Sequence, residues 1–382
     1  MNGRSYAGAV AISGKVSAWR PVLAAVGLFL AVRVLGVIVL GGILRLRHDG
    51  GLHHMLTRYD GQWYRRIAEH GYGTTISAHD GLHSDYAFFP LLPLAERALH
   101  PLLGLSFVDS GLVVNWCASA VAAAGIFAVT ARVTSRRVAM ITLLLWAVYP
   151  YAVVLSMSYT EGLLCALAAW ALYAVVGRRW LLAGVLTALA GLTRPTGAAV
   201  VAAVCVSALL AGIQGRDRWR RVVPAVVVAP LGLLGYLAYV GVRQRNPMGY
   251  FHATEGWQRT WDDGRYFAHW TWRLVRTGGL DTVGGVGLIV LILAMVWLVV
   301  LGIRDGLPVG FTVFSVVLLA MTFGTSGYFG SRPRYLVPAF TLLVPLAARL
   351  AHWRAPTRIA LGVLLAVSMA CLGGYVLTTG AP

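Results

Sequence analysis

Lysine is almost missing from this 382-residue chain: Lys15 is the single one, and the formal net charge of +18 rests on arginine. Acids are scarce as well, at 14, and charged residues of both signs make up only 12%. That is about half the share of an ordinary water-soluble domain and excludes one. Cysteine is sparse, and Cys117, Cys165, Cys205 and Cys371 all fall inside apolar runs with no CxxC or ligand spacing, which excludes a disulfide scaffold or a cysteine zinc site. Gly14 and Lys15 are followed by Val16, without a glycine at the Walker spacing, so the chain lacks the engine of an ATP-driven pump. Asp262 and Asp263 are adjacent, unlike the separated acids of a nucleotide-sugar metal site, and a turn or an acceptor-facing loop is expected there. No internal repeat, low-complexity segment, dinucleotide fold or separate soluble domain is visible.

What remains is apolar: 58% of the residues are hydrophobic and the mean hydropathy is +0.72. Stretches of spanning length, or nearly so, fall at 21–45, 110–130, 138–155, 162–177, 180–193, 195–213, 222–243, 282–303, 308–324, 335–351 and 358–378. The expected fold is therefore an all-α polytopic membrane protein, a bundle of about eleven transmembrane helices. Arginine-bearing loops at 132–137, 177–179, 214–221, 304–305 and 349–358 fall on one side of this count, together with a tail at 1–20. The positive-inside rule makes that side cytoplasmic, and the positive charge then faces anionic lipid rather than nucleic acid. Residues 21–378 read as one transmembrane domain, with long outer loops at 46–109 and 244–281. The stretch at 180–193 is too short for about 30 Å of hydrocarbon unless Arg194 lies below the outer surface.

The first outer loop carries two amphipathic segments. Trp63 and Ile67 are four residues apart, as are Tyr64 and Ala68, with Arg65, Arg66 and Glu69 on the other side. That is the pattern of an interfacial helix lying in the headgroup plane.

The ionisable residues near the outer face form a short list, and each has two readings. Asp60, in RYDGQWY, is a helix cap or a general base at the membrane surface. Asp85 is a loop cap or a second, substrate-binding carboxylate. Glu161, in SMSYTEGLL, completes a capping box with Ser158 or hydrogen-bonds a hexose together with Tyr159 and Ser156. Arg194, in GLTRPTG, either snorkels to the headgroups or holds a phosphate at the start of the helix opened by Pro195. An arginine at that depth calls for an anion or water. Arg332 and Arg334 flank Pro333 ahead of Tyr335, and two outer arginines call for an anionic ligand or an internal salt bridge to Asp60 or Glu161. Arg33, inside the first span, pairs with an acid or serves architecture. His79 and His83, close to Asp80 and Asp85, form the single candidate metal position.

Taken in order, YDGQWYRRIAEHGY from Tyr59, AFFPLLPL from Ala87, SMSYTEGLL from Ser156, WLLAGVLTALAGLTRPTG from Trp180 and SRPRYLVPAF from Ser331 resemble the membrane mannosyltransferases of the GPI second-mannose type and their bacterial relatives. These belong to the GT-C glycosyltransferase superfamily. The resemblance covers most of the chain and implies a GT-C-like bundle that transfers mannose, with inversion, from polyprenyl-phosphate-mannose outside the cytoplasm. The acceptor would be a glycolipid, a polysaccharide or a protein side chain. The catalytic acid of the first outer loop maps onto Asp60. Tyr59 departs from the tryptophan that usually precedes this Asp-Gly pair, a change that keeps an aromatic ring. Asp85, Tyr159, Glu161, Arg194, Arg332, Arg334 and Tyr335 are the expected substrate-binding residues, with Trp63 and Tyr64 on the acceptor side. Arginines can meet a lipid phosphate, so no metal is obligatory. The competing class is a multispan transporter or flippase, whose signature is paired ionisable groups at mid-membrane depth.

Overall fold

The computed structural model describes residues 19–48, 50–78, 81–327 and 329–380. Most of the tail at 1–20 and His79 with Asp80 lie outside these. The chain is helical, with the elements α1 (Arg20–Arg47), α2 (Leu52–Thr57), α3 (Asp60–His70), α4 (Leu91–Leu103), α5 (Phe107–Val133), α6 (Arg136–Ala147), α7 (Glu161–Val176), α8 (Trp180–Gly191) and α9 (Ala198–Ile213) in its first part. There follow α10 (Trp219–Val228), α11 (Leu231–Arg243), α12 (Gly249–Glu255), α13 (Arg265–Thr277), α14 (Gly279–Arg304), α15 (Val309–Phe323), α16 (Arg332–Tyr335), α17 (Phe340–Leu350) and α18 (Ala355–Thr379). Among the described residues one hairpin, β1 (Thr75–Ala78) against β2 (Gly81–Ser84), is antiparallel.

Among the described residues six helical segments, Arg20–Arg47, Phe107–Val133, Pro195–Ile213 (α9 with the 3-10 turn before it), Trp219–Arg243 (α10 and α11 together), Gly279–Arg304 and Ala355–Thr379, are long and apolar enough to cross a membrane; Glu161–Val176, Trp180–Gly191, Val309–Phe323 and Phe340–Leu350 are apolar but shorter. These are polytopic-membrane proportions, and the apolar helices fall where the sequence places them, with two differences. The stretch expected at 138–155 is not one helix: α6 stops at Ala147 and the chain reaches α7 through turns and a 3-10 segment at Ala152–Ser156. The stretch expected at 335–351 likewise starts with the short α16 before α17.

Non-helical backbone inside an apolar bundle must find its hydrogen bonds within the protein. Side chains of α1 and α5 provide them. The Arg33 guanidinium donates to the carbonyls of Ala147 and Ala152. Asn115 Nδ2 donates to Val154 O at 3.0 Å and Met157 O at 2.7 Å, while its Oδ1 accepts from Gly162 N at 3.0 Å. Trp116 Nε1 donates to Ser156 O at 3.2 Å. Arg33 therefore serves architecture, pairing with backbone rather than with an acid. Gly162 is required beside this bracket, since a Cβ there would overlap Asn115 Oδ1 and Ser119 Oγ.

The core is a continuous packing of Ala, Val, Leu and Phe from α1, α5, α6, α7, α9, α15 and α17. A smaller cluster of Tyr64, Ile67, Phe88 and Leu92 joins α3 to α4. Trp63 completes it, stacked on Phe88 at 5.5 Å and edge-on to Trp257 at 5.2 Å. The apolar face of α3 is thus covered by protein, whereas the sequence pattern points to a face buried in lipid headgroups. The reason lies in the second long loop, whose Trp257 stacks on His83 at 4.1 Å and donates from Nε1 to Ser84 O at 3.0 Å, closing over α3.

Candidate active site

Helix α3 and three breaks in the helical bundle bring four charges together. The first turn of α3 carries Asp60, preceded by Tyr59 at a φ of 58°, a backbone region that L residues disfavour. Gly61 lets this turn approach the segment before α7, since a Cβ there would stand 3.2 Å from Ser158 O. The start of α7 carries Glu161. The extended residue between α8 and the following 3-10 turn is Arg194. The break between α15 and α17 carries Arg334, in α16, whose position is fixed by Tyr149 Oη donating to Pro333 O at 2.9 Å and Trp146 Nε1 donating to Val337 O at 2.9 Å.

Arg334 Nη2 lies 2.9 Å from Asp60 Oδ2, and its Nε lies 3.3 Å from Glu161 Oε1. Arg194 Nη1 pairs with the same Glu161 oxygen. Two acids and two arginines make the cluster formally neutral. Burial disfavours the Arg334 charge, and the Asp60 and Glu161 carboxylates beside it offset that cost. Deep pairs of this kind are costly to desolvate, and removing one partner costs about 3–5 kcal/mol. The two carboxylates differ in access: the Glu161 side chain is 1% exposed and that of Asp60 is 24% exposed. Of the two, Asp60 is the one that a hydroxyl from outside can approach.

Aromatic rings wall the cluster. The Arg334 guanidinium stands 5.1 Å from the Tyr159 ring centroid and 5.4 Å from that of Tyr335. Arg194 and Arg259 each stand 5.2 Å from the Tyr335 centroid. Glu161 Oε2 and Tyr335 Oη are buried with no hydrogen-bond partner. Buried polar atoms are nearly always satisfied, so these two are open to the polar groups of a ligand.

The sequence singles out Asp60, Tyr159, Glu161, Arg194, Arg334 and Tyr335, and the fold brings all six together. The internal salt bridge considered for the outer arginines is present. Three expectations are corrected. Arg332 points away: its Nη1 donates to Thr322 O at 2.8 Å and its Nη2 to Thr325 O at 2.6 Å, capping the end of α15. Asp85 is buried apart from the cluster, where it accepts from Gly73 N at 3.0 Å and Thr74 N at 2.8 Å and ties the base of the hairpin. Burial raises its pKa, and the same backbone donors oppose the shift. Ser158 does not cap α7. Its Oγ donates instead to Glu96 Oε1 at 3.3 Å, and the N-cap of α7 is Thr160.

Tyr64 is buried, with its hydroxyl 3.4 Å from Thr160 Oγ1, and like Trp63 it packs within the loops. Of the candidate metal position, His79 lies outside the described residues, His83 stacks on Trp257, and Asp85 is engaged by backbone. Among the described residues no three potential ligands gather. Asp262 forms the expected turn, accepting from Gly264 N at 3.1 Å and Tyr266 N at 2.8 Å. Arg259 and Glu96 escape sequence reasoning. Arg259 stands in WQRTWDDGRYF of the second long loop, with no local pattern that marks it. Glu96 belongs to the amphipathic α4 and is distinguished only by burial.

The fold and this arrangement define an all-α polytopic membrane protein. ArnT from Cupriavidus metallidurans, in a structure bound to undecaprenyl phosphate, matches with a TM-score of 0.54 at 18% identity over 89% of this chain and 62% of that one. The apo oligosaccharyltransferase of Archaeoglobus fulgidus matches with a TM-score of 0.52 at 12% identity over 97% of this chain and 57% of that one. The chain thus spans less than two thirds of the length of these proteins. By sequence, residues 92–239 match the dolichyl-phosphate-mannose-protein mannosyltransferase family model. That match takes in Glu96, Tyr159, Glu161 and Arg194. No curated protein matches the chain by sequence.

Proposed function

We propose that this protein is an inverting glycosyltransferase that moves mannose from a polyprenyl-phosphate donor to an acceptor hydroxyl at the non-cytoplasmic face of the cell membrane. The observation that carries the reading is the partly open Asp60 carboxylate held against the buried Arg334, which Glu161 ties to a second buried arginine, Arg194. The fold shared with an enzyme that binds undecaprenyl phosphate supports it, as does the family match over 92–239. Mannose, the GPI second-mannose kinship and a cytoplasmic amino terminus rest on the motifs and the charge distribution read from the sequence.

In this mechanism the acceptor oxygen attacks the anomeric carbon and its proton passes to Asp60. The bond from that carbon to the phosphate oxygen breaks on the opposite face, through an oxocarbenium-like state, and polyprenyl phosphate leaves. Arg194 and Arg334 meet the charge growing on the phosphate. Tyr159 and Tyr335 offer rings for the sugar, and Glu161 holds both arginines while its second oxygen is available to a sugar hydroxyl. The resting contact between Arg334 and Asp60 is exchanged for the phosphate as the donor binds, which releases the base. Arginines replace a metal ion in this scheme.

The test is transfer of mannose from polyprenyl-phosphate-mannose by purified protein. Asp60→Asn is expected to lower the rate at least about a hundredfold, the scale of a lost general base. A rate equal to that of the unaltered protein removes Asp60 from the chemistry. A transporter is the second class to separate, and it moves lipid across a vesicle bilayer without forming a new glycosidic bond.

A further inference from the structure

A cleft of about 550 Å3 opens between the end of α3, the beginning of α4 and the outer half of α11. Its volume suits a single ligand. Along α11 the lining passes from Gly235 through Tyr239 to Arg243 on one helical face, over roughly 12 Å of rise. Leu192 and Ile67 supply apolar wall, and Arg97 from α4 supplies a second cation. The gradient from open glycine surface through an aromatic ring to arginine is that of a site for an amphiphile with a negative headgroup. Both arginines are held in place: Arg97 Nε donates to Ala68 O at 2.9 Å, and Arg243 Nε donates to Tyr239 Oη at 3.3 Å. Among the described residues neither is paired with a carboxylate, whereas Arg194 and Arg334 both are. The two pairs of arginines therefore differ in kind, one internally neutralised and one open.

We infer that this cleft is the acceptor site and that the acceptor is an anionic glycolipid, seated with its chain along Leu192 and Gly235 and its charged headgroup at Arg97 and Arg243. The inference rests on the transferase reading above. It follows from the position of α3, which carries Asp60 at its first turn and lines the cleft with Ile67 and Ala68 at its last. Asp60 and Ala68 are separated by roughly 12 Å of helix rise. A bare phosphate at the cleft is out of reach of the base, and an extended sugar headgroup spans the gap. The donor phosphate is already provided for at Arg194 and Arg334, so a second anionic lipid is the occupant whose charge the cleft complements. Near a membrane surface each such arginine attracts anionic lipid.

Gly235→Leu is the selective probe, because Gly235 lines the cleft and a Cβ there meets nothing within 4 Å, so the added side chain takes up cleft space. Arg243→Gln, at an exposed position, is the companion variant. Full-length protein is purified with phosphatidylglycerol, phosphatidylcholine and undecaprenyl phosphate present together, and the retained lipids are measured by mass spectrometry. The unaltered protein and Asp60→Asn are expected to prefer phosphatidylglycerol over phosphatidylcholine at least fivefold, both cleft variants to lose that preference, and all four proteins to keep undecaprenyl phosphate. In transfer assays with the acidic lipid fraction of the source membrane, Gly235→Leu should raise the acceptor requirement at least fivefold and leave the donor requirement within twofold. Unchanged phosphatidylglycerol retention in both cleft variants, or a selective loss of undecaprenyl phosphate, overturns the inference. Full transfer by Asp60→Asn instead overturns the transferase reading, and lipid retention still decides the cleft.

Discussion

At the scale of single residues, the cost of charge in an apolar bundle explains both what the sequence reveals and what it hides. Arg194 and Arg334 are conspicuous because an arginine at such depth needs an anion, and Asp60 and Glu161 are the acids within reach. Arg332 and Asp85 look equivalent on paper but satisfy backbone groups, Arg332 at the end of α15 and Asp85 at a hairpin base. Backbone orphans compete for the same side chains as ligands do, and a sequence does not show where the chain will break. Glu96 is the least legible group. It is 0% exposed, its Oε2 has no partner, and burial pushes its carboxyl up to about 9, with Ser158 opposing the shift and Glu69 adding to it. In the folded state it therefore keeps a proton that the unfolded chain gives up near its ordinary pKa of 4.5. The stability this contributes is full below that pH and is lost as pH rises toward 9. Glu96→Gln, which stays neutral, is expected to flatten the fall in Tm between pH 6 and pH 9, as read by thermal unfolding in detergent. A slope identical to that of the unaltered protein would show that Glu96 is not protonated in the fold.

At the scale of elements, hydropathy locates the apolar helices, and residue chemistry decides where they stop. The end of α6 at Ala147 falls within a continuous apolar run. Its signal is not in the run itself but in the polar Arg33, Asn115 and Ser119 of neighbouring helices, whose partners become apparent only once those helices pack. The same bracket sets the position of Glu161, because Gly162 N donates to Asn115 Oδ1. Gly162→Ala is expected to destabilise the protein by about 1–3 kcal/mol, the usual cost of overpacking a filled core. It should also lower transfer activity by displacing Glu161 from the two arginines. A drop in Tm with unchanged activity would separate the bracket from the site. For α3, amphipathicity is legible, whereas the partner of its apolar face is not, since Trp257 arrives from almost two hundred residues further along the chain.

At the scale of the whole molecule, the two long loops act as one unit: Trp257 closes on Trp63, Phe88 and His83, while Arg259, two residues on, reaches Tyr335 over the site. Trp257→Ala is expected to raise protease sensitivity in the second long loop and reduce transfer several-fold while leaving Tm close to its original value; an unchanged cleavage pattern would mean the loop is anchored elsewhere. The short helices α7, α8, α15 and α17 have a consequence of another sort. The twelve residues of α8 rise about 18 Å, well short of a hydrocarbon layer of about 30 Å. Each of these helices stops next to one of the breaks that hold the charged cluster, so the breaks occupy depth that full-length helices would fill. Of the four, α8 turns Leu181, Leu182 and Val185 outward, so a bilayer around it meets a thinner flank than beside α1, α14 and α18. Such a mismatch costs fractions of a kcal/mol per Å, enough to sort proteins among membranes by acyl-chain length. A lipid whose phosphate must reach the cluster would find, on that thinner flank, a shorter path from its own leaflet.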